Sequence, residues 1–147
     1  MKIANATVKA EADAISADVD GGPGAGVMRL YDENGAGVPA DADTALTTQL
    51  LLAEITLNDP SFAAAIDASP GADIVLDVTP ALEDPSANNS ATATPTLFAR
   101  IDDSTGTTII QFDTVLTAGG EVTIPSLAVA EFATVSLTAG TITVPEG

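Results

Sequence analysis

The first 20 residues carry the apolar period of an α-helix. Within residues 3–18 and just beyond them, an apolar side chain recurs every three or four positions, at Ala4, Val8, Ala12, Ile15 and Val19. These positions form one narrow stripe along a helix. Because the stripe is rich in alanine, we predict a helix that is weak alone and packs on something, either its own domain or a neighbouring subunit.

After residue 26 the pattern changes to short apolar runs separated by turn residues. The predicted strands span residues 27–31, 49–57, 73–78, 92–101, 107–115, 122–124, 134–138 and 141–144. Their spacing of roughly 8–12 residues is typical of an all-β sandwich or a jelly-roll-like barrel. The clearest hairpin joins residues 92–101 to residues 107–115 through a turn at 103–106.

Two strands have irregular features in the sequence. Three consecutive leucines, Leu50 to Leu52, blur the alternation of the second strand, which predicts a bulge or burial on both faces. Pro95 cannot donate a hydrogen bond to a sheet, so we place it at an edge or a bulge.

These patterns predict a mainly β protein with a short N-terminal helix and a single antiparallel β-sandwich or jelly-roll-like domain. We divide the chain into an N-terminal helix or arm at residues 1–20, a hinge at residues 21–26 and a β-sandwich domain at residues 27–147. The hinge is the glycine-rich run that ends the helix.

The charge of the chain excludes several kinds of partner. It has 21 acidic and four basic residues, for a net charge of −17. We therefore expect no binding to nucleic acid, which needs clustered Lys and Arg, and none to anionic lipid. The sequence has no apolar stretch long enough for a membrane span and no apolar core of a signal peptide. We expect the protein to be made and to stay in a cytoplasm.

The residue types limit the available chemistry. The chain has no His, Cys or Trp and a single Tyr. Disulfides, ordinary zinc sites and Ser-His-Asp or Cys-His nucleophiles therefore cannot be built. The acidic pairs at residues 18 and 20, 41 and 43, and 102 and 103 are interpreted as turns. We predict no catalytic, cofactor-binding or metal-binding residue; a hydrolase with paired carboxylates is the enzymatic alternative.

Four residues are candidates for an interface. Val8 and Ile15 lie on the apolar stripe of the helix, and Arg29 and Arg100 are the only cations after residue 26. Both arginines lie within predicted strands. Each can pair with a carboxylate on a sheet face or anchor a neighbouring subunit, since arginine is enriched at interfaces.

Two stretches and the end of the chain form a further pattern. The first stretch is Gly26-Val-Met-Arg-Leu-Tyr31 followed, after a loop, by LLAEITLNDPSF at residues 51–62. The second is ATATPTLFARIDDSTGT at residues 91–107, and the chain ends with VSLTAGTITV at residues 135–144. Together with the N-terminal helix, this pattern resembles small virion structural proteins of tailed bacteriophages.

The resemblance implies a non-enzymatic capsid decoration or cement protein. Such a protein binds the major capsid protein lattice on the capsid exterior, and as a dimer or trimer it suits symmetric sites on that lattice. The helix of residues 3–18 is then expected to be a reaching arm. A tail, neck or fibre-base component is the alternative within the same class, and an adhesive host-recognition module is a third.

Overall fold

The computed structural model describes residues 3–68 and 71–146. These residues form one α-helix and eleven β-strands. In chain order the elements are α1 (Asn5–Val19), β1 (Val27–Asp32), β2 (Leu50–Thr56), β3 (Ile66–Ala68), β4 (Gly71–Val75), β5 (Glu83–Asp84), β6 (Leu97–Asp102), β7 (Thr108–Phe112), β8 (Val115–Leu116), β9 (Val122–Thr123), β10 (Val135–Ser136) and β11 (Ala139–Pro145).

A four-stranded antiparallel sheet with the order β2-β1-β6-β7 forms one side of the molecule. Its two central strands, β1 and β6, have alternating side chains. Met28, Leu30 and Ile101 are fully buried in the hydrophobic core. The residues between them, which include Arg29 and Arg100, lie on the opposite face, as the period of a strand requires.

A second sheet has five strands in the order β3-β4-β11-β9-β8. Its pairs are antiparallel except for β8 and β9, which run parallel. A small pair, β5 with β10, forms a separate two-stranded sheet, and β5 contacts β2 of the four-stranded sheet. Buried side chains from the two sheets and from α1 belong to one hydrophobic cluster. The prediction of a mainly β fold with antiparallel sheets and a short N-terminal helix is confirmed; the sheets do not close into a barrel.

The two strands with irregular sequences have different outcomes in the structure. The register between β1 and β2 pairs Leu30 with Ala53 but Tyr31 with Leu51, so Leu52 is the extra residue of a bulge, as the leucine run predicted. Strand β6 begins only at Leu97, and Pro95 therefore lies in the loop before the strand rather than at an edge or a bulge.

Ala139-Gly140 favours a turn between the predicted strands at residues 134–138 and 141–144, but these two segments do not pair with each other. Strand β10 pairs with β5, while β11 starts at Ala139 and pairs with β4 and β9. Long-range pairing overrides the local turn signal there. The hairpin of β6 and β7, by contrast, is formed as predicted.

Helix α1 packs against β4 and β11 of its own chain. Val8, Ala12 and Val19 are fully buried in the core cluster. Two helix carboxylates also accept backbone N–H groups of the segment before β3: Asp13 from Ala65 at 3.0 Å and Asp20 from Ser61 at 3.1 Å. The prediction of a reaching arm is therefore corrected, because the apolar stripe of this helix is already occupied.

The glycine-rich run 21–26, which was predicted as a hinge, is largely exposed but ends in a buried, closely packed glycine. A Cβ atom on Gly26 would lie 2.7 Å from Val19 Cγ1 and 2.9 Å from the carbonyl oxygen of Asp102. Glycine at this position lets the helix end lie directly against the end of β6. The helix and the β-sheets thus form one folded unit.

Candidate functional site

A row of polar side chains crosses the four-stranded sheet on the face away from the core. The register places Arg29 opposite Arg100, with Glu54 beside Arg29 on β2 and Gln111 beside Arg100 on β7. Two of the four cations in the sequence are therefore neighbours in the fold. Like charges directly opposite each other destabilise a sheet unless other groups compensate them.

The positive charge of Arg29 is compensated by carboxylates on both sides. Its Nε donates to Glu54 Oε1 at 2.6 Å, and its Nη1 donates to Asp102. The Asp102 side chain is 8% exposed and the Arg29 side chain 27% exposed. Burial acts to lower the pKa of Arg29, but the bond to Glu54 and the charge of Asp102 raise it above its ordinary value. This confirms the interpretation that Arg29 pairs with carboxylates on a sheet face.

The positive charge of Arg100 is compensated by neutral oxygen atoms that accept its hydrogen bonds. Arg100 is 6% exposed. Its Nη2 donates to the carbonyl oxygens of Asp41 and Thr44, at 3.1 and 2.7 Å, and its Nε donates to Gln111 Oε1 at 3.0 Å. Gln111 in turn donates to the carbonyl of Pro39 at 2.8 Å. Arg100 therefore fastens the loop between β1 and β2 across the sheet.

The four predicted interface residues have different outcomes. Val8 lies in the hydrophobic core and Arg100 lies under its own loop, so neither is available to a partner in this fold. Ile15 is half-buried and packs against the core cluster. Arg29 keeps part of its side chain exposed. The structure brings the two arginines together and separates them from the two helix residues.

Two of the acidic pairs of the sequence each contribute one carboxylate to a local turn. Asp41 accepts the backbone N–H and the hydroxyl of Thr44, and Asp103 accepts the N–H groups of Thr105 and Thr107. The hydrogen bonds from Thr44 and Thr107 lower the pKa of Asp41 and Asp103, respectively. A general acid at neutral pH needs a raised pKa. The lowered pKa of these two carboxylates instead reflects the turn hydrogen bonds that they accept.

Asp32 is a fully buried carboxylate at the end of β1. It accepts the backbone N–H of Asn34 at 3.1 Å and that of Thr92 at 2.7 Å. Burial acts to raise the pKa of Asp32, but these hydrogen bonds outweigh it and hold the pKa below its ordinary value of 3.8. Asp32 thereby closes the turn after β1 and attaches the loop that precedes β6.

We predict that Asp32→Asn lowers the free energy of unfolding by about 2 kcal/mol at neutral pH, since the amide replaces an acceptor of two N–H groups. A carboxyl group whose pKa is lowered by folding stabilises the folded protein when the pH is above its pKa in the unfolded state. This stabilisation is lost as the pH falls through its pKa in the folded state. The difference between wild type and variant should be constant above about pH 5 and shrink below it. Urea titrations from pH 7 to pH 3 measure it; a difference independent of pH would contradict this role.

Sequence reasoning missed a displayed aromatic side chain, Phe132. It is 74% exposed, the largest value among the large hydrophobic residues described. Its backbone has φ 64°, which is rare for a bulky side chain. Its N–H donates to the carbonyl of Ala87 at 2.8 Å, and the N–H of Ala87 donates to the carbonyl of Ala133 at 2.8 Å. These bonds hold the ring outward; no sequence motif signals such a conformation.

A shallow groove of about 100 Å³ is lined by residues that flank Phe132 in the sequence, but the lining does not include Phe132 itself. Its apolar lining residues include Ile124, Pro125, Val129 and Val135, and Ser126, Thr134 and Ser136 add hydroxyl groups. Residues 122–145, which contain the groove and the ring, carry one charged side chain, Glu131. In a chain with 25 charged residues, this segment is nearly uncharged.

The described residues lack two further features. Residues 3–68 and 71–146 contain no group of three or more Asp or Glu placed to hold a metal ion. In the same part of the chain, no helix has the length and apolar character needed to cross a bilayer. Comparison of the chain with protein-family models, with curated proteins and with solved structures found no match.

Proposed function

We propose that the protein is a non-enzymatic structural protein of a tailed-phage virion, a capsid decoration protein that binds the major capsid protein lattice from outside. One observation carries this proposal beside the sequence resemblance: two of the four cations of the chain, both arginines, are bound within the fold. Arg100 is buried, Arg29 is bound to Glu54 and Asp102, and Lys9 is half-buried in α1. The outward surface therefore presents mainly carboxylates.

A surface of this kind suits the outside of a DNA-filled shell. Carboxylates repel the phosphates of the genome, which favours the outer side of the capsid over the inner one. A strongly negative surface also keeps a protein soluble at the high concentration in the host cytoplasm that a many-copy component needs before assembly. Weak contacts that are repeated across a lattice stabilise the shell collectively.

The test is an add-back experiment with particles produced from a genome that lacks this gene. Purified protein is expected to bind these particles at a saturating number of sites in simple ratio to the capsid subunit, and to raise the temperature at which they release DNA. Particles that already carry the protein serve as the control and should take up none. Failure of the folded protein to bind the deficient particles contradicts the proposal.

A further inference from the structure

We propose that residues 35–47, in the loop between β1 and β2, form a lid over an aromatic pair on the outer face of the four-stranded sheet, the face away from the core. The lid opens as a unit while the sheets and α1 stay folded, and Arg100 is the latch that holds it closed. Opening uncovers an aromatic surface beside two arginines, which the closed molecule does not display. This inference concerns the isolated protein and does not depend on the virion role.

The first argument is the position of the aromatic pair. Tyr31 and Phe98 stack with their ring centroids 5.2 Å apart. They lie opposite each other on β1 and β6, on the same face as Arg29 and Arg100. Tyr31 is 8% and Phe98 0% exposed, yet neither belongs to the hydrophobic core cluster. A segment on the outer face therefore covers them.

The second argument is that hydrogen bonds place the lid on this face. The carbonyl oxygens of Asp41 and Thr44 accept hydrogen bonds from Arg100. The carbonyl oxygen of Pro39 accepts one from Gln111, the neighbour of Arg100 on β7. Within residues 35–47 only Pro39 is buried. A segment held by few buried apolar contacts opens at a lower free energy than the core of its protein.

The third argument is that the two ends of the lid are close together. The Asn34 side chain donates to the carbonyl of Thr48 at 3.0 Å, so residues 35–47 form a compact loop of the Ω type. Near the first end, Gly35 and Gly37 have φ 73° and 82°, and a Cβ atom on either would meet nothing within 4 Å. Glycines in open surroundings can absorb the change of backbone angles that a hinge needs. The lid can therefore move without disturbing β1 or β2.

The fourth argument is the charge of the latch. Arg100 is buried, and both ion pairs of residues 3–68 and 71–146 involve Arg29 instead. A buried guanidinium without a carboxylate partner has lost its hydration and gained no opposite charge. An open lid returns this group to water. The regained hydration offsets part of the hydrogen-bond energy of the closed state, so the folded protein can reach the open state.

The experiment compares the labelling rates of two buried thiols in a chain that has no cysteine of its own. Phe98→Cys places a thiol under the lid, and Ala99→Cys, the matched control, places one in the core on the other face of β6; both positions are 0% exposed. In water the thiol of Phe98→Cys should react at least about 100-fold faster, since local opening needs less free energy than global unfolding. Its rate should change little with urea below the unfolding transition, whereas that of Ala99→Cys should rise steeply.

The latch is tested by adding Arg100→Met to Phe98→Cys. The labelling rate should increase at least about 10-fold, because the lid loses two hydrogen bonds from a charged donor. Lys9→Met, which removes the same charge from α1, should leave the rate unchanged. Labelling of Phe98→Cys that depends on urea as steeply as that of Ala99→Cys overturns the proposal, and so does a rate that Arg100→Met does not increase.

Nitration of Tyr31, the single tyrosine, is a second measurement that needs no cysteine variant to fold. The lid predicts a nitration rate of the wild-type protein that is nearly independent of urea below the unfolding transition. Arg100→Met should increase this rate at least about 10-fold, for the same loss of hydrogen bonds. A nitration rate that rises with urea in parallel with global unfolding would show that Tyr31 is uncovered only when the whole protein unfolds, which contradicts the lid.

Discussion

Ala12→Asp is expected to remove a large part of the stability of the protein, whereas Ala10→Asp in the same helix is expected to leave the stability nearly unchanged. Ala12 is fully buried between α1 and the sheet, and Ala10 is exposed. A carboxylate at Ala12 would be buried without a cation, which costs about 3–5 kcal/mol. The whole stability of a domain is about 5–15 kcal/mol. At Ala10 the cost is limited to helix propensity, below about 1 kcal/mol.

The two variants have the same change of residue and of net charge, so their difference isolates the packing of the helix. Thermal unfolding followed by near-UV absorbance of the single Tyr31 or by calorimetry gives both stabilities. Equal stability of the two variants would contradict the buried position of α1. It would also revive the prediction that the helix is a free arm, whose removal leaves the β domain intact.

Arg100→Met is expected to destabilise the protein by about 3 kcal/mol, because it removes charge-assisted hydrogen bonds under a loop. The carbonyls of Asp41 and Thr44 lose their donor, and Gln111 loses a partner. Methionine keeps most of the apolar stem, so packing changes little. The loop between β1 and β2 should become accessible to proteases while the sheets stay folded.

Lys9→Met is the matched control for this variant, since it removes the same charge from the half-buried Lys9 side chain in α1. Its free energy of unfolding should change by less than about 1 kcal/mol. Limited proteolysis and hydrogen exchange of residues 37–47, measured beside urea titrations, distinguish the outcomes. Unchanged protection of this loop in Arg100→Met would show that the guanidinium does not hold it.

The pattern of apolar residues along the chain predicts the fold class, and it predicts best those elements that form between residues close in the sequence. The helical period before Asp20 predicts α1, and the hairpin of β6 and β7 follows from two apolar runs around a short turn. The bulge at Leu52 is visible as a break in alternation. The apolar stripe does not specify what the helix packs on, since its own domain and a neighbouring subunit could both bury it.

The arrangement of the candidate site depends on long-range register, which no local pattern contains. Arg29 and Arg100 are 71 positions apart in the sequence, and only the pairing of β1 with β6 makes them neighbours. The loop carbonyls that bind Arg100 carry no side-chain signature either. Phe132 has a positive φ, and its N–H donates to the carbonyl of Ala87, a contact between distant loops that an isolated Glu-Phe-Ala segment does not reveal.

The copy number of the protein in purified particles, measured by quantitative mass spectrometry against the major capsid protein, tests the proposed role most directly. The account predicts hundreds of copies in a simple ratio to the capsid subunit. A few to a few dozen copies would contradict a lattice-wide role and place the protein in the tail, neck or fibre base. Complete absence from particles would contradict every virion role.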